Sequence, residues 1–266
     1  MLLDGLTAGG WLLALVALVG VWELCAPRGA LTVRRSLRWP TSFTLGPLNG
    51  LLATMPVAPL ALAMTVQAPG WGLATSTWLP GWLSLALCVL LLDLLVYGQH
   101  RAFHGIPLLW RVHRVHHSDV DFDYSTAFRF HPLEALLTNA IAFAAMALLG
   151  LPPAGILIHQ ALAAGMTIIE HANAVLPSRV EASARRLVVT PDLHRVHHAV
   201  DARSFDTNFG TIFSVWDRAF GTYQARDTDL AGMEIGLDSF RERKYLTLPW
   251  TLALPFLRER IGARTR

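Results

Sequence analysis

Five stretches of the chain are almost wholly apolar: roughly Leu6 to Leu24, Leu45 to Val66, Leu79 to Tyr97, Leu133 to Leu149 and Ala154 to Ile169. A helix of about 20 apolar residues crosses a bilayer core, so each is expected as a membrane segment. The second carries Pro47, Pro56 and Pro59. The last two are short and joined by Gly150-Leu151-Pro152-Pro153, the pattern of a tight hairpin that need not cross fully. The amino terminus has Asp4 and no basic residue ahead of its apolar run, and no small-residue cleavage site after it, so this run is expected to stay as a helix. Beyond Pro177 the pattern turns polar. Within that tail Leu246 to Leu257, with Pro249 and Pro255, is too short to span and is expected to re-enter the interface with Trp250 at headgroup level. The expected fold is an all-α integral membrane bundle of about four to five spans with a cytosolic helical cap. It forms one unit over 1–266: spans over about 1–97, a first cytosolic histidine region over 98–132, a membrane hairpin over 133–170 and the cap over 171–266.

Composition agrees with this pattern. Apolar residues make up 53% of the 266, charged residues 15%, and mean hydropathy is +0.41, which excludes a disordered chain and argues against an ordinary soluble domain. Cys25 and Cys88 have no metal or redox spacing. The 22 basic residues fall in three places, 4 from Arg28 to Arg38, 4 from Arg101 to Arg129 and 14 from Arg179 onward. By the positive-inside rule these regions face the cytoplasm, which makes the net charge of +3 a topology signal and not a nucleic-acid footprint. Lys244 is the single lysine against 21 arginines, a bias in keeping with a GC-rich bacterial genome and hence a bacterial inner membrane.

Eleven histidines are the second departure from an ordinary chain. Eight form three clusters: His100 with His104, then His113, His116 and His117, then His194, His197 and His198. Residues spaced i, i+3 and i+4 share a helix face, so each cluster is expected to aim its rings at a common point. Asp93, Tyr97, His100 and His104 continue one such stripe down the third apolar stretch. Eight imidazoles exceed the shell of one ion, and two metal ions are the economical reading. A neutral nitrogen shell suits iron, copper or zinc. The alternative is a histidine-rich membrane metal-binding or metal-transport protein without oxygenase activity, although a transport path would place histidines at mid-membrane depth, where only His159 falls.

These motifs resemble those of the fatty acid hydroxylase and sterol desaturase superfamily of integral-membrane, non-haem di-iron enzymes. The resemblance runs from about Asp93 to Tyr223. It rests on Asp93-x-x-x-Tyr97 before His100 and His104, Leu109-Trp110-Arg111 before the first HxxHH, and Arg129-Phe-His131-Pro-x-Glu134 after it. It continues through Glu170-His171-x-Asn173, Thr190-Pro191 before the last HxxHH, Asn208-Phe-Gly, and Trp216 to Tyr223. The resemblance implies a pair of irons, with zinc as a substitute in purified protein, dioxygen as co-substrate, and hydroxylation or desaturation of a membrane lipid at the cytoplasmic face. It implies metal ligands at His100, His104, His113, His116, His117, His171, His194, His197 and His198. Some branches have a further histidine where this chain has Thr167.

Further metal or ligand-supporting positions are His131, Asp93, Glu170, Asp192, Asn173, Asp206, Asn208 and Tyr97, because a metal-bound imidazole usually donates its other N–H to a carboxylate or carbonyl. His131 has a structural alternative as a helix cap before Pro132 and Glu134. Asp192 has another as a first-turn charge after Thr190 and Pro191, and Asp217 with Arg218 is expected as a local pair. The sequence lacks a GxGxxG fingerprint, a CxxCH string and a cysteine cluster, so electrons are expected from a separate ferredoxin-like or cytochrome-type partner.

Overall fold

The computed structural model describes residues 2–53, 72–73, 78–225 and 230–259. Among these residues regular structure is helical, with isolated bridges and no strand. Six longer helices come first: α1 (Leu2–Cys25), α2 (Arg35–Ala53), α3 (Gly81–Gly105), α4 (Pro107–His117), α5 (Pro132–Leu149) and α6 (Pro153–Glu170). Five short ones follow: α7 (Ser178–Ala184), α8 (Pro191–His197), α9 (Ala202–Phe205), α10 (Val215–Ala219) and α11 (Leu248–Ala253).

Proline sets several of the boundaries. Ile106 precedes Pro107, which excludes the helical region for it, and Ile106 is extended at φ −99°, ψ 117°. Helix α3 therefore stops and α4 restarts with Pro107 in its first turn, so the His100 pair and the first HxxHH come from two helices meeting at an elbow. Pro132 opens α5, whose cap is the His131 side chain accepting from Leu133 N–H, and α5 ends at Gly150 with φ 55°, a left-handed position suited to glycine. Thr190 caps α8 in the same way, accepting from Leu193 N–H ahead of Pro191.

Among the described residues two helices are long and apolar enough to cross a membrane, Gly81–Gly105 and Pro132–Leu149. Of the other three expected spans, the apolar part of α1 is the shorter Gly10–Cys25. The fifth stretch is helical as α6, and the second is helical as far as Ala53. The rest of that second stretch, with Pro56 and Pro59, lies outside the described residues, as does most of the uncharged segment from Gln67 to Trp78. Leu13, Leu18, Leu148 and Leu157 are each at least 66% exposed, an outward apolar surface that water would penalise. Inside, Cys88 and Leu92 of α3, Phe143 and Met146 of α5, and Ile156 of α6 form one core. A Cβ on Gly155 would sit 2.8 Å from Cys88 Cβ, so this glycine permits the close approach of α6 to α3.

The polar end is held by ion pairs and capped backbone. Arg38, fully buried, donates from Nε and Nη2 to Asp119 at 2.6 and 2.8 Å and from Nη1 to Asp123 at 2.9 Å. Arg28 pairs with Asp192. Arg129 donates to the carbonyls of Val115 and Tyr245. These bonds bring the three basic regions together at one end of the helices. The Leu246–Leu257 segment belongs to this end: Arg111 donates to Pro255 O and Arg114 to the carbonyls of Leu254 and Leu257, while Trp250 is 40% exposed.

Candidate metal centre

The nine histidines from His100 to His198 named as ligands by resemblance converge at the polar end in two compact groups. His100, His104, His113, His117 and His197 form one, and His116, His171, His194 and His198 the other; in each, the nitrogens lie within 4.8 Å of one another. His100 is half-buried and the other eight are buried.

Each HxxHH is divided between the groups. His113 and His117 serve the first and His116 the second, whereas His194 and His198 serve the second and His197 the first. The expectation of one common point per cluster is corrected here. On a helix i and i+4 differ by about 40°, while i+3 stands about 100° from i+4, so the middle ring reaches across to the neighbouring group.

Hydrogen bonds at the far nitrogen fix the protons. His100, His171 and His197 face the carbonyls of Phe209, Thr167 and Thr207 with Nδ1, at 2.9, 2.7 and 2.7 Å. A carbonyl only accepts, so Nδ1 donates and Nε2 of the neutral ring is a bare lone pair. His113 Nδ1 meets Glu134 Oε1 at 2.7 Å and His104 Nδ1 meets Asp206 Oδ1 at 3.2 Å. The Nε2 atoms point inward. In the first group they are 3.2 Å apart for His104–His117 and for His113–His117; in the second, 3.1 Å for His116–His171, 3.0 Å for His171–His194 and 3.2 Å for His194–His198. Spacings of this size suit a shared cation, because nitrogens bound at about 2.1 Å to one ion are about 3.0 to 3.4 Å apart. Nε2 of His100 and of His197 has no hydrogen-bond partner.

Protonation does not compete with metal near neutral pH. Burial first, and then neighbouring imidazoles, hold His116, His117, His194 and His198 well below the usual histidine range. Burial pushes His197 down to about 3 and His171 to about 4. All six are neutral and ligand-competent.

The remaining expected positions separate. Glu170 lies at the second group, its Oε1 3.8 Å from His171 Nδ1 and 3.9 Å from His194 Nε2, with Oε2 unpartnered. Asp206 supports His104. Asp93 touches no histidine among the described residues: it accepts from Ile212 N, Phe213 N and Trp216 Nε1, tying α3 to α10 and the segment before it, because a buried carboxylate is satisfied by the nearest free donors. Asp192 pairs with Arg28, and Asn173 bonds Gly29 and Arg195. Asn208, at φ 53°, donates to the carbonyls of Leu193 and Gln224, and the Tyr97 hydroxyl meets Thr222 Oγ1 at 2.9 Å. His131 lies in neither group; its Nδ1 caps α5 and its Nε2 faces Leu252 O. His159 is buried on α6 with Nε2 unpartnered. Asp217 feels the charge of Arg218, but its hydrogen bonds go elsewhere. It accepts from Phe209 N, Gly210 N and Thr222 Oγ1, and Arg218 lies over the Tyr223 ring.

Sequence reasoning missed the role of Glu134, taking it as a first-turn residue. The available signal was its place two residues past Pro132, where the first turn of α5 faces the last ring-bearing turns of α4. A cavity of about 280 Å³ reaches the groups from between the helices, lined by His100, His113, His116, His171 and His194 above and by Val96, Phe103, Ala135 and Ala163 below.

An apolar helical body under nine converging imidazoles defines a histidine-cluster membrane-type protein. The fatty acid hydroxylase family model matches residues 85–222, just over half of the chain, and the chain belongs to that family. Among curated relatives, the alkylglycerol monooxygenase of Caenorhabditis elegans is 28% identical over 161 residues, covering 60% of this chain and 30% of that protein. The ornithine lipid hydroxylase OlsE of Rhizobium tropici is 28% identical over 204 residues, 76% of this chain and 59% of that protein. The cholesterol 25-hydroxylase of Rattus norvegicus is 28% identical over 159 residues, 58% and 52%. The chain therefore spans less than two thirds of the length of each. No solved structure matches.

Proposed function

We propose that this chain is an integral-membrane oxygenase whose two histidine groups each hold an iron ion and whose substrate is a lipid, hydroxylated or desaturated at a C–H bond with dioxygen and external electrons. The observation that carries this is the pair of inward-facing Nε2 sets at the head of an apolar cavity. Nine converging nitrogen donors, eight of them buried and five held from behind through Nδ1, fit a pair of transition-metal ions. When bound, such a pair supplies the activation of dioxygen.

The protein's own part is positional. Glu134 and Asp206 hold the His113 and His104 rings through Nδ1 and raise their basicity. Val96, Phe103, Ala135 and Ala163 give the cavity an apolar lining that takes a hydrocarbon chain and keeps water from the histidines. The names of the relatives, which act on alkylglycerol, an ornithine lipid and cholesterol, support a lipid substrate. The division into spans, first histidine region, hairpin and cap, with the polar end in the cytoplasm of a bacterial inner membrane, belongs to the same reading, as does an electron donor of ferredoxin or cytochrome type. The metal-transport reading loses support, because the imidazoles gather in two compact groups and are not strung through the apolar body.

Metal analysis with a visible spectrum tests this: about two irons per chain without a Soret band is expected, and a single zinc or a haem band overturns it. Lipid extracts from cells with and without the chain should differ by the gain of one oxygen or the loss of two hydrogens.

A further inference from the structure

Helix α3 turns three residues of a single stripe, Val96, Gln99 and Phe103, toward the cavity beside His100. Two of these are apolar, as a lipid site requires. Gln99 is not, yet it is only 7% exposed, and neither its Nε2 nor its Oε1 has a hydrogen-bond partner. A buried primary amide with both ends unsatisfied is costly, and native proteins complete such groups with ordered water, an ion or a ligand. On another wall of the cavity, Asn49 donates from Nδ2 to Phe130 O at 2.8 Å, which leaves its Oδ1 buried and unpartnered.

The unused valences define the missing group. Gln99 offers N–H donors and one acceptor, and Asn49 adds a second acceptor. A hydrocarbon would satisfy none of them. A carboxylate brings no donor and would face Glu134 and Glu170, which line the same cavity. An ammonium brings no acceptor for the Gln99 N–H. A neutral group that both donates and accepts, a hydroxyl or an amide, matches the set. Gln99 and Phe103 also wall an apolar groove of about 630 Å³ with Leu95, Ile141 and Ala145, which gives a chain attached to that group a place to lie.

We propose that Gln99, with Asn49 Oδ1, is the specificity subsite of this cavity and holds a neutral hydroxyl or amide group of the lipid. Gln99 is adjacent to His100 along α3, a rise of about 1.5 Å, so the oxidised carbon lies within a few bonds of that polar group. This rests on the lipid-oxidation reading for its regiochemistry but not for the binding itself.

The test is equilibrium binding to the full chain purified in detergent, read by displacement of a brominated alkane that quenches tryptophan emission. The probes are hexadecanol, hexadecanamide, hexadecanoate and hexadecane. The native chain is expected to favour the alcohol, the amide or both over the alkane by roughly tenfold or more, with the carboxylate behind them. Gln99→Leu should reduce that preference to about threefold or less while retaining the alkane, and Gln99→Met, which keeps the side-chain length, should do the same if the leucine variant is poorly folded. Equal affinity of the native chain for alcohol, amide and alkane overturns the inference, as does a preference that survives both substitutions. An oxidised lipid product altered at the methyl end overturns it as well. A chain that keeps the preference but binds no iron leaves the subsite standing and sinks the oxygenase reading. A chain that oxidises lipid without the preference does the reverse.

Discussion

The two histidine groups share α4 and α8 but differ in their third source, α3 for the first and the end of α6 for the second, and in how many rings are anchored from behind. In the group of five, four rings are anchored through Nδ1, by Phe209 O, Asp206, Glu134 and Thr207 O. In the group of four only His171 is so anchored, while Nδ1 of His116 and of His194 has no partner. Aromatic rings pack against both groups, Trp110 and Phe205 on His104 and His117 of the first, and in the second, where packing is the main restraint, His116 stacks on Phe130 with centroids 4.2 Å apart and Phe122 lies against His171 and His198. A hydrogen-bonded ring is fixed in tautomer and angle, whereas a stacked ring keeps the freedom to turn about its normal. The first group is preorganised, and the second, with the Glu170 carboxylate beside it, is the adaptable one.

The largest effect expected is from removing a ligand. His117→Ala should empty the first group and His198→Ala the second, each lowering iron from about two to about one per chain and stopping lipid oxidation, by more than the 10- to 100-fold that losing a supporting partner costs. Metal content and product mass measure it, and full activity in either variant would break the comparison. Glu134→Ala comes next. It frees the His113 ring alone, so metal affinity of the first group should fall about 10- to 100-fold while the second is unchanged, read by chelator titration.

Acid should weaken the fold before it is filled with metal. His171 and His197 sit at about 4 and about 3 when folded, below the 6.5 of an exposed ring, so as pH falls the unfolded chain takes up protons first. Stability is therefore full above about pH 6.5 and falls below it, by about 1.4 kcal/mol per pH unit for each such ring, until the folded values are reached. A lower melting temperature near pH 5 than near pH 7 for the metal-free chain is the expected result. The smallest effect belongs to Asp206→Asn. Its carboxylate is 64% exposed, so solvent already screens its bond to His104, and iron affinity at the first group should change only a few-fold.

Much of this was legible in the residues. Spacing grouped eight of the imidazoles and the family resemblance added His171, while Thr190-Pro191 and His131-Pro132 were readable as caps because those signals are local. The reciprocal splitting of the two HxxHH motifs was not, since it depends on which neighbour each helix face meets. Nor was Asp93, whose partners Ile212 and Trp216 lie 119 and 123 residues away. The carbonyls of Thr167, Thr207 and Phe209 that fix three tautomers carry no signal at all, because every residue has a carbonyl.

Glu23 of α1 accepts from Tyr124 N at 2.8 Å and from Asn173 N at 2.9 Å. One carboxylate thus secures the loops that follow the first HxxHH and His171, and it does so from a residue far outside the 85–222 stretch that defines the family. Arg28 and Arg38, also outside it, hold Asp192 and Asp119. The stretch that the family model matches therefore depends on contacts from outside it. A chain trimmed to it would carry every histidine and lose the Glu23, Arg28 and Arg38 contacts to the loops beside them.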